Sequence, residues 1–209
     1  MSILDPLKRV QNLRRADERR EHEAGEGRLP PGQVITSKFP VLSYGSTPRI
    51  DLKDWRLGVW GLVEEPREFT WEEFLALPKQ RQVCDIHCVT RWSKLDTVWE
   101  GVPFREIARL VRPKSEARFV MEHSYGGYTT NMALEELLDD DVLLAYSYDD
   151  QPLEPDHGGP LRMLVPKLYF WKSAKWLRGL EFMADDKPGF WEMYGYHMHG
   201  DPWTEERFG

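Results

Sequence analysis

Between Ile50 and Met183 the chain never keeps one hydrophobic period for long, and this limits what it can fold into. Trp55-Arg56-Leu57-Gly58-Val59-Trp60-Gly61-Leu62-Val63 alternates as a half-buried strand does, and Glu65-Pro66 turns the chain behind it. Thr70 and Glu73 stand at capping-box spacing and open a short helix over Trp71–Leu77, stopped before Pro78. Arg81–His87 reads as a strand, and Pro103 takes a first helical position for Phe104–Val111. Arg118–Glu122 is a further strand, leading into a polar, glycine-bearing loop over His123–Thr130. Asn131 is placed to cap a helix over Ala133–Leu138. Asp141–Tyr148, Leu161–Val165 and Lys175–Met183 complete the expected strands. Short strands and short helices without a regular βαβ rhythm define an α+β chain with mixed β-sheets.

The N-terminal part differs in character. Residues 5–23 are charged, with Leu7, Val10 and Leu13 at helical spacing, and a Gly/Pro linker follows over Gly25–Gly32. The expected division is therefore a charged N-terminal helix and linker over 1–33 and one domain over 34–209. A formal charge of −7 argues against a nucleic-acid or anionic-membrane partner. Arg14-Arg15 is followed by Ala16-Asp17-Glu18 where an export signal needs an apolar run, and no membrane segment is visible, so a cytoplasmic location is expected. If the two cysteines, Cys84 and Cys88, lie on one strand, their Cα atoms are roughly 13 Å apart at ~3.3 Å per residue. That exceeds disulfide reach, and both thiols are expected to be free.

Two features carry chemistry. Cys88 closes the Arg81–His87 strand and is followed by Val89-Thr90-Arg91-Trp92-Ser93, so it sits where a rigid element presents a side chain to a loop. On residues alone it is a nucleophile, a redox group, a soft-metal ligand or a buried structural cysteine. The second feature is an interval between Asp156 and Glu181 with no acid, which holds His157, Arg162, Lys167, Lys172, Lys175 and Arg178. Arg162 stands inside the apolar run Leu161-Arg162-Met163-Leu164-Val165, where an unpaired charge is costly, and Lys175 abuts Trp176. A solvated basic face is the plain reading of this block; a site for a phosphorylated or otherwise anionic ligand is the functional one. The C-terminal run Phe190–Trp203 is dense in aromatics and histidines and either lines a pocket entrance or caps the core. No Walker loop, nucleophile elbow, dinucleotide fingerprint or zincin motif occurs.

Taken together and in order, Cys88-Val89-Thr90-Arg91-Trp92-Ser93, then His157-Gly158-Gly159-Pro160-Leu161-Arg162-Met163-Leu164-Val165-Pro166, then Ser173-Ala174-Lys175-Trp176-Leu177 resemble the sulfite oxidase family of molybdopterin oxidoreductases. Asp51–Leu57 and Gly61–Pro66 resemble that family's opening strands, and the likeness spans about residues 36–200. It implies a mixed α+β fold around one pyranopterin molybdenum cofactor (Mo-molybdopterin). By resemblance, Cys88 is the thiolate ligand of molybdenum. Arg162, Ser173 and Lys175, with Ala174 beside them, are at positions that hold the cofactor's phosphate end. His157 matches a contact to the pterin, and His123 falls at another cofactor contact. Thr90, Arg91, Thr129 and Trp176 are further carry-overs, and the Phe39–Tyr44 stretch, with Leu42 and Tyr44, resembles the first cofactor-touching segment. Sulfite-oxidising members place arginines about where Leu42 and Ser93 fall, so the chain is more similar to the bacterial branch related to the methionine-sulfoxide reductase catalytic subunit.

The resemblance implies an oxidoreductase acting on a small-molecule substrate by oxygen-atom transfer, supplied by a separate electron-transfer partner. Tyr196 or Tyr194 is expected to hydrogen-bond the substrate or the metal-oxo group. The alternatives are a non-catalytic molybdopterin-binding or storage protein and a thiol-redox protein using Cys84 with Cys88.

Overall fold

Two mixed sheets make up most of the regular structure in residues 27–209, the part of the chain that this computed structural model describes. The helix expected over residues 5–23 lies outside that range. In chain order the strands are β1 (Val34–Ile35), β2 (Arg56–Gly61), β3 (Arg67–Thr70), β4 (Gln80–His87), β5 (Trp92–Pro103), β6 (Phe119–Ser124), β7 (Thr129–Ala133), β8 (Leu143–Tyr148), β9 (Gln151–Pro152), β10 (Arg162–Leu164) and β11 (Leu177–Met183). One sheet runs β1-β5-β8-β10, with β4 paired to β5 and β9 to β8; the other runs β3-β2-β11-β6-β7. β1 lies parallel to β5 and β11 parallel to β2, and the other pairings are antiparallel, as a mixed-sheet α+β chain requires.

The helices are short. α1 (Trp71–Leu75) carries the expected capping box: the Thr70 hydroxyl accepts from Glu73 N–H and the Glu73 carboxylate accepts from Thr70 N–H. α2 (Phe104–Val111) buries Phe104, Ile107, Ala108 and Val111 on one face and ends at Arg112 in the left-handed region. Pro103 is its N-cap rather than its first residue. α3 covers Leu134–Leu137 and α4 covers Phe190–Met193.

Three departures from the expected pattern have physical causes. β5 is the longest strand, yet its buried positions include Ser93, Thr97 and Gly101, so the buried face does not read as apolar. Asp96 lies at φ 54°, and the β4–β5 register shifts between Cys84 and Ile86, so a bulge hides the period of two. Residues 129–133 are a strand, and Asn131 is buried within it instead of capping a helix; α3 starts from Ala133 without a side-chain cap. The polarity of Thr129-Thr130-Asn131 serves buried hydrogen bonds, which local sequence does not distinguish from loop polarity. β3 follows the Glu65-Pro66 turn as a short edge strand on β2.

A large apolar cluster built on Trp55, Leu57, Phe74, Phe104, Ile107, Val120, Leu144, Leu180 and Phe182 joins the two sheets. Each such side chain contributes about 1.5–3 kcal/mol on burial. A second, smaller cluster (Ile86, Trp99, Leu143, Ala145, Leu153, Leu164) supports Phe39, Trp92 and Phe170. Those three rings turn their other faces to a cavity, so the small core is the floor of the site.

Candidate active site

The cavity has a volume of about 310 Å³. Cys88 enters it from the β4–β5 hairpin. Cys88 N–H donates to Trp92 O (2.8 Å), Arg91 N–H donates to Cys88 O (2.9 Å), and Arg91 takes φ 75°, which closes a four-residue turn. The turn is held from outside as well. Gln33 Nε2 donates to Cys88 O (3.1 Å), the Arg207 guanidinium donates to Val89 O, and Ser93 Oγ binds both Gln33 Oε1 and His87 Nδ1. The thiol is buried and pushed up by burial, against which Thr90, Arg207 and the Val89 amide act in the other direction. Cys84, four residues earlier, lines no part of the cavity; burial pushes its thiol up to about 12. Both cysteines are free.

The lining also includes two cations. Arg162 is fully buried and donates to three backbone carbonyls: His157 O (2.7 Å), Ser173 O (2.9 Å) and Met163 O (3.2 Å). Its guanidinium lies 4.1 Å from the Phe170 ring centroid. Lys175 Nζ donates to Ser43 Oγ and Asp156 O, both at 2.7 Å. Among the described residues neither cation has a carboxylate oxygen within 4.0 Å. Burial, then the neighbouring Arg162 charge, brings Lys175 down to about 7. His157 stacks on Phe39 (centroids 3.9 Å apart), and its buried Nδ1 has no partner among the described residues; burial and then Arg162 and Lys175 lower its pKa. The Gly158-Gly159 turn allows this packing: Gly158 has φ 108°, and a side chain at Gly159 would collide with Leu153 O.

Of the residues expected at a site, Leu42, Tyr44, Cys88, Thr90, His157, Arg162, Ser173, Lys175, Trp176 and Tyr196 line this one cavity. Five do not. His123 lies on β6, with Nε2 3.0 Å from Glu181 Oε2 and its ring against Trp60. Arg91 is exposed at the turn, Thr129 belongs to β7, and Ala174 is buried behind the wall, donating N–H to Glu122 Oε2 (3.0 Å). Tyr194 is 70% exposed and packs on Phe190, so of these two tyrosines it is Tyr196 that faces the cavity. Ser93 is buried outside it, on the Gln33 and His87 side. The acid-free block also divides: Lys167 pairs with Asp139, Arg178 lies over Tyr125, and Lys172 pairs with Glu192.

Sequence reasoning missed Tyr128, Phe170, Trp171 and Trp191 as wall residues. Their signal was the aromatic density that interleaves the basic block and the C-terminal run. It also missed the buried Glu122, Lys172 and Glu192, which meet only in three dimensions. Tyr128 O–H donates to Trp171 O (2.6 Å), and Trp191 stacks on Tyr196 with centroids 5.1 Å apart.

A soft sulfur donor, two cations free of acids, an unpartnered imidazole nitrogen and aromatic walls thus face one space. Comparisons with known proteins agree with that inventory. A family model described as "Oxidoreductase molybdopterin binding domain" matches residues 44–191. The protein named "Uncharacterized oxidoreductase YuiH" from Bacillus subtilis is 50% identical over 183 residues, covering 87% of this chain and 92% of that one. A "Putative protein-methionine-sulfoxide reductase subunit YedZ1" of Azospira oryzae is 33% identical over 174 residues, 81% of this chain and 66% of its own length. The sulfane dehydrogenase SoxCD of Paracoccus pantotrophus shares the fold at TM-score 0.61 and 23% identity, over 66% of this chain and 40% of that one. The chain therefore spans nearly all of the Bacillus protein but no more than about two thirds of the other two.

Proposed function

The chain belongs to the family of oxidoreductases with a molybdopterin-binding domain, and from that premise we propose that its pyranopterin molybdenum cofactor lies in the Cys88 cavity and serves oxygen-atom transfer with a neutral, sulfoxide-type small molecule. The observation that carries the reading is that Cys88, Arg162 and Lys175 line one cavity, with no carboxylate oxygen within 4.0 Å of either cation among the described residues. The residues present fit the group. A thiolate suits a soft metal, the two cations suit a phosphate, and the unpartnered Nδ1 of His157 is free to bond a heterocycle. When bound, the cofactor supplies a metal that exchanges an oxygen atom and two electrons with substrate.

The chain's own residues do the rest. Arg162, held by three carbonyls, and Lys175, held by Ser43, present fixed donors that orient the anionic end. Phe39, stacked on His157, and Phe170, against the Arg162 guanidinium, would keep water away from the group that these residues hold. Leu42, Tyr44, Trp171, Trp191 and Tyr196 add lining without a charge, which favours an apolar-substituted neutral substrate over sulfite or nitrate. The Tyr196 phenol is pushed up by burial and by Cys88, so it stays protonated and donates its O–H to the substrate oxygen. In the reductive direction the sulfur–oxygen bond breaks and the oxygen leaves as water. Two protons come from solvent and two electrons from a separate carrier protein.

No helix among the described residues is long and apolar enough to cross a membrane. A cytoplasmic setting belongs to this proposal, supported by the two free thiols. The test is protein purified from a host that makes the cofactor, assayed for molybdenum, oxidised-pterin fluorescence and viologen-driven reduction of an alkyl aryl sulfoxide. Stoichiometric metal with turnover is expected. Absence of metal overturns the reading, and metal without turnover on any sulfoxide or N-oxide supports the storage alternative.

A further inference from the structure

Thr90 Oγ1 lies 3.2 Å from Cys88 Sγ, and both side chains face the cavity. The geometry alone allows either atom to donate, but a metal-binding cysteine is a thiolate, which can only accept. The hydroxyl is therefore the donor in the loaded site. It is well placed to remain so. The turn that carries both residues is closed by its own backbone bonds and clamped by Gln33 and Arg207, and a β-branched side chain has few rotamers in which to swing away. Among the described residues, Thr90 is the side chain that hydrogen-bonds the sulfur.

The other cysteine is an internal control. Cys84 Sγ is 3.7 Å from the Thr97 hydroxyl, but that hydroxyl donates to Cys84 O at 2.6 Å and accepts from Trp99 Nε1 at 2.8 Å. Thr97 ties strands together; among the described residues Thr90 has no comparable backbone acceptor and addresses the sulfur.

We propose that Thr90 is a positioning residue for the Cys88 thiolate, holding it by an O–H···S bond that withdraws electron density from the sulfur and so sets the redox poise of the molybdenum site. The inference rests on the assignment of Cys88 as the metal ligand and adds what the neighbouring residue does to it. Hydrogen bonds to a ligating sulfur raise the potential of the metal it binds, because they stabilise the more electron-rich, reduced state.

The test compares the loaded full chain with Thr90→Val, which keeps shape but loses the hydroxyl, and Thr90→Ser, which keeps the hydroxyl. Metal content, the thiolate-to-molybdenum charge-transfer absorption and the molybdenum midpoint potential are measured on all three. Thr90→Val is expected to move the absorption to lower energy and the potential to more negative values, with Thr90→Ser returning both toward the wild type. Loss of metal in Thr90→Val but not in Thr90→Ser supports the same role in a stronger form. A Thr90→Val protein with wild-type metal, absorption and potential overturns the inference, as does equal metal loss in both variants. Wild-type protein without molybdenum instead overturns the functional reading beneath it.

Discussion

Lys172 and Arg162 are both buried cations from the same acid-free stretch, and they have opposite fates. Lys172 Nζ is saturated: Glu192 Oε1 lies at 2.7 Å, and Asn131 O, Asn131 Oδ1 and Met198 O complete its shell. Glu192 Oε1 also accepts from Thr130 and Trp171, so the pair ties β7, the Phe170–Lys172 turn and α4 together. Among the described residues Arg162 has only backbone carbonyls as hydrogen-bond partners, and beside it Lys175 has a hydroxyl and a carbonyl. Dipoles hold these cations in place, Glu122 and Asp156 act on them only from beyond ion-pair distance, and both cations line the cavity. A buried cation with an acid belongs to the fold; a buried cation without one waits for an anion.

That distinction is broken most severely by Lys172→Met, which strands Glu192 in the interior. A loss of about 3–5 kcal/mol is expected from urea unfolding, with much of it recovered in Lys172→Met/Glu192→Leu; a loss under about 1 kcal/mol would mean the pair contributes nothing special. Next in size, Arg162→Met should lower molybdenum content at least about tenfold, since charge-assisted hydrogen bonds are each worth about 1.5–3 kcal/mol. Unchanged content, measured by elemental analysis, would erase the contrast with Lys172. A smaller effect concerns pH. With its folded-state value brought down to about 7, Lys175 carries its charge below that pH and loses it above. Binding of sulfate, whose charge is constant over this range, to cofactor-free protein should weaken as pH rises from about 6 to about 8, with proton uptake on binding, and Lys175→Arg should flatten the profile. A flat profile in the wild type contradicts the assignment.

The smallest effect lies in the C-terminal strap that clamps the Cys88 turn. Both nitrogens of His199 sit 2.7 Å from a carboxylate, Glu206 and Glu136, although a neutral imidazole has one N–H. Despite burial, these partners raise its pKa. The sign follows: the contribution is complete below the unfolded value of about 6.5 and is lost as pH rises through the higher folded value. Thermal unfolding should therefore lose a modest increment across that window, and His199→Gln should remove the dependence.

How much of this was legible depended on whether the partners were near in sequence. The capping box of α1, the end of β4 at His87 and the anomaly of Arg162 in an apolar strand were all readable, because each is written within a few residues. The basic block was readable as a block but not as two sites, since Lys172 takes its acid from Glu192 twenty residues on and Lys167 takes Asp139 from far upstream. β5 escaped because a bulge breaks its alternation. His123 looked equivalent to His157 by its glycine-bearing neighbourhood, yet β6 turns it toward Glu181 on β11. Tyr128, Trp171 and Trp191 were visible as aromatics without an address, because only the sheet pairing brings their elements to one wall.

The account turns on Cys88 as the sulfur that joins this protein to its metal, with Cys84 as the structural twin. X-ray absorption at the molybdenum edge on wild-type, Cys88→Ser and Cys84→Ser proteins addresses that claim directly. The account predicts loss of one sulfur scatterer from the first coordination sphere in Cys88→Ser alone, with Cys84→Ser superimposable on the wild type. An unchanged sphere in Cys88→Ser, or the same loss in both variants, would contradict it.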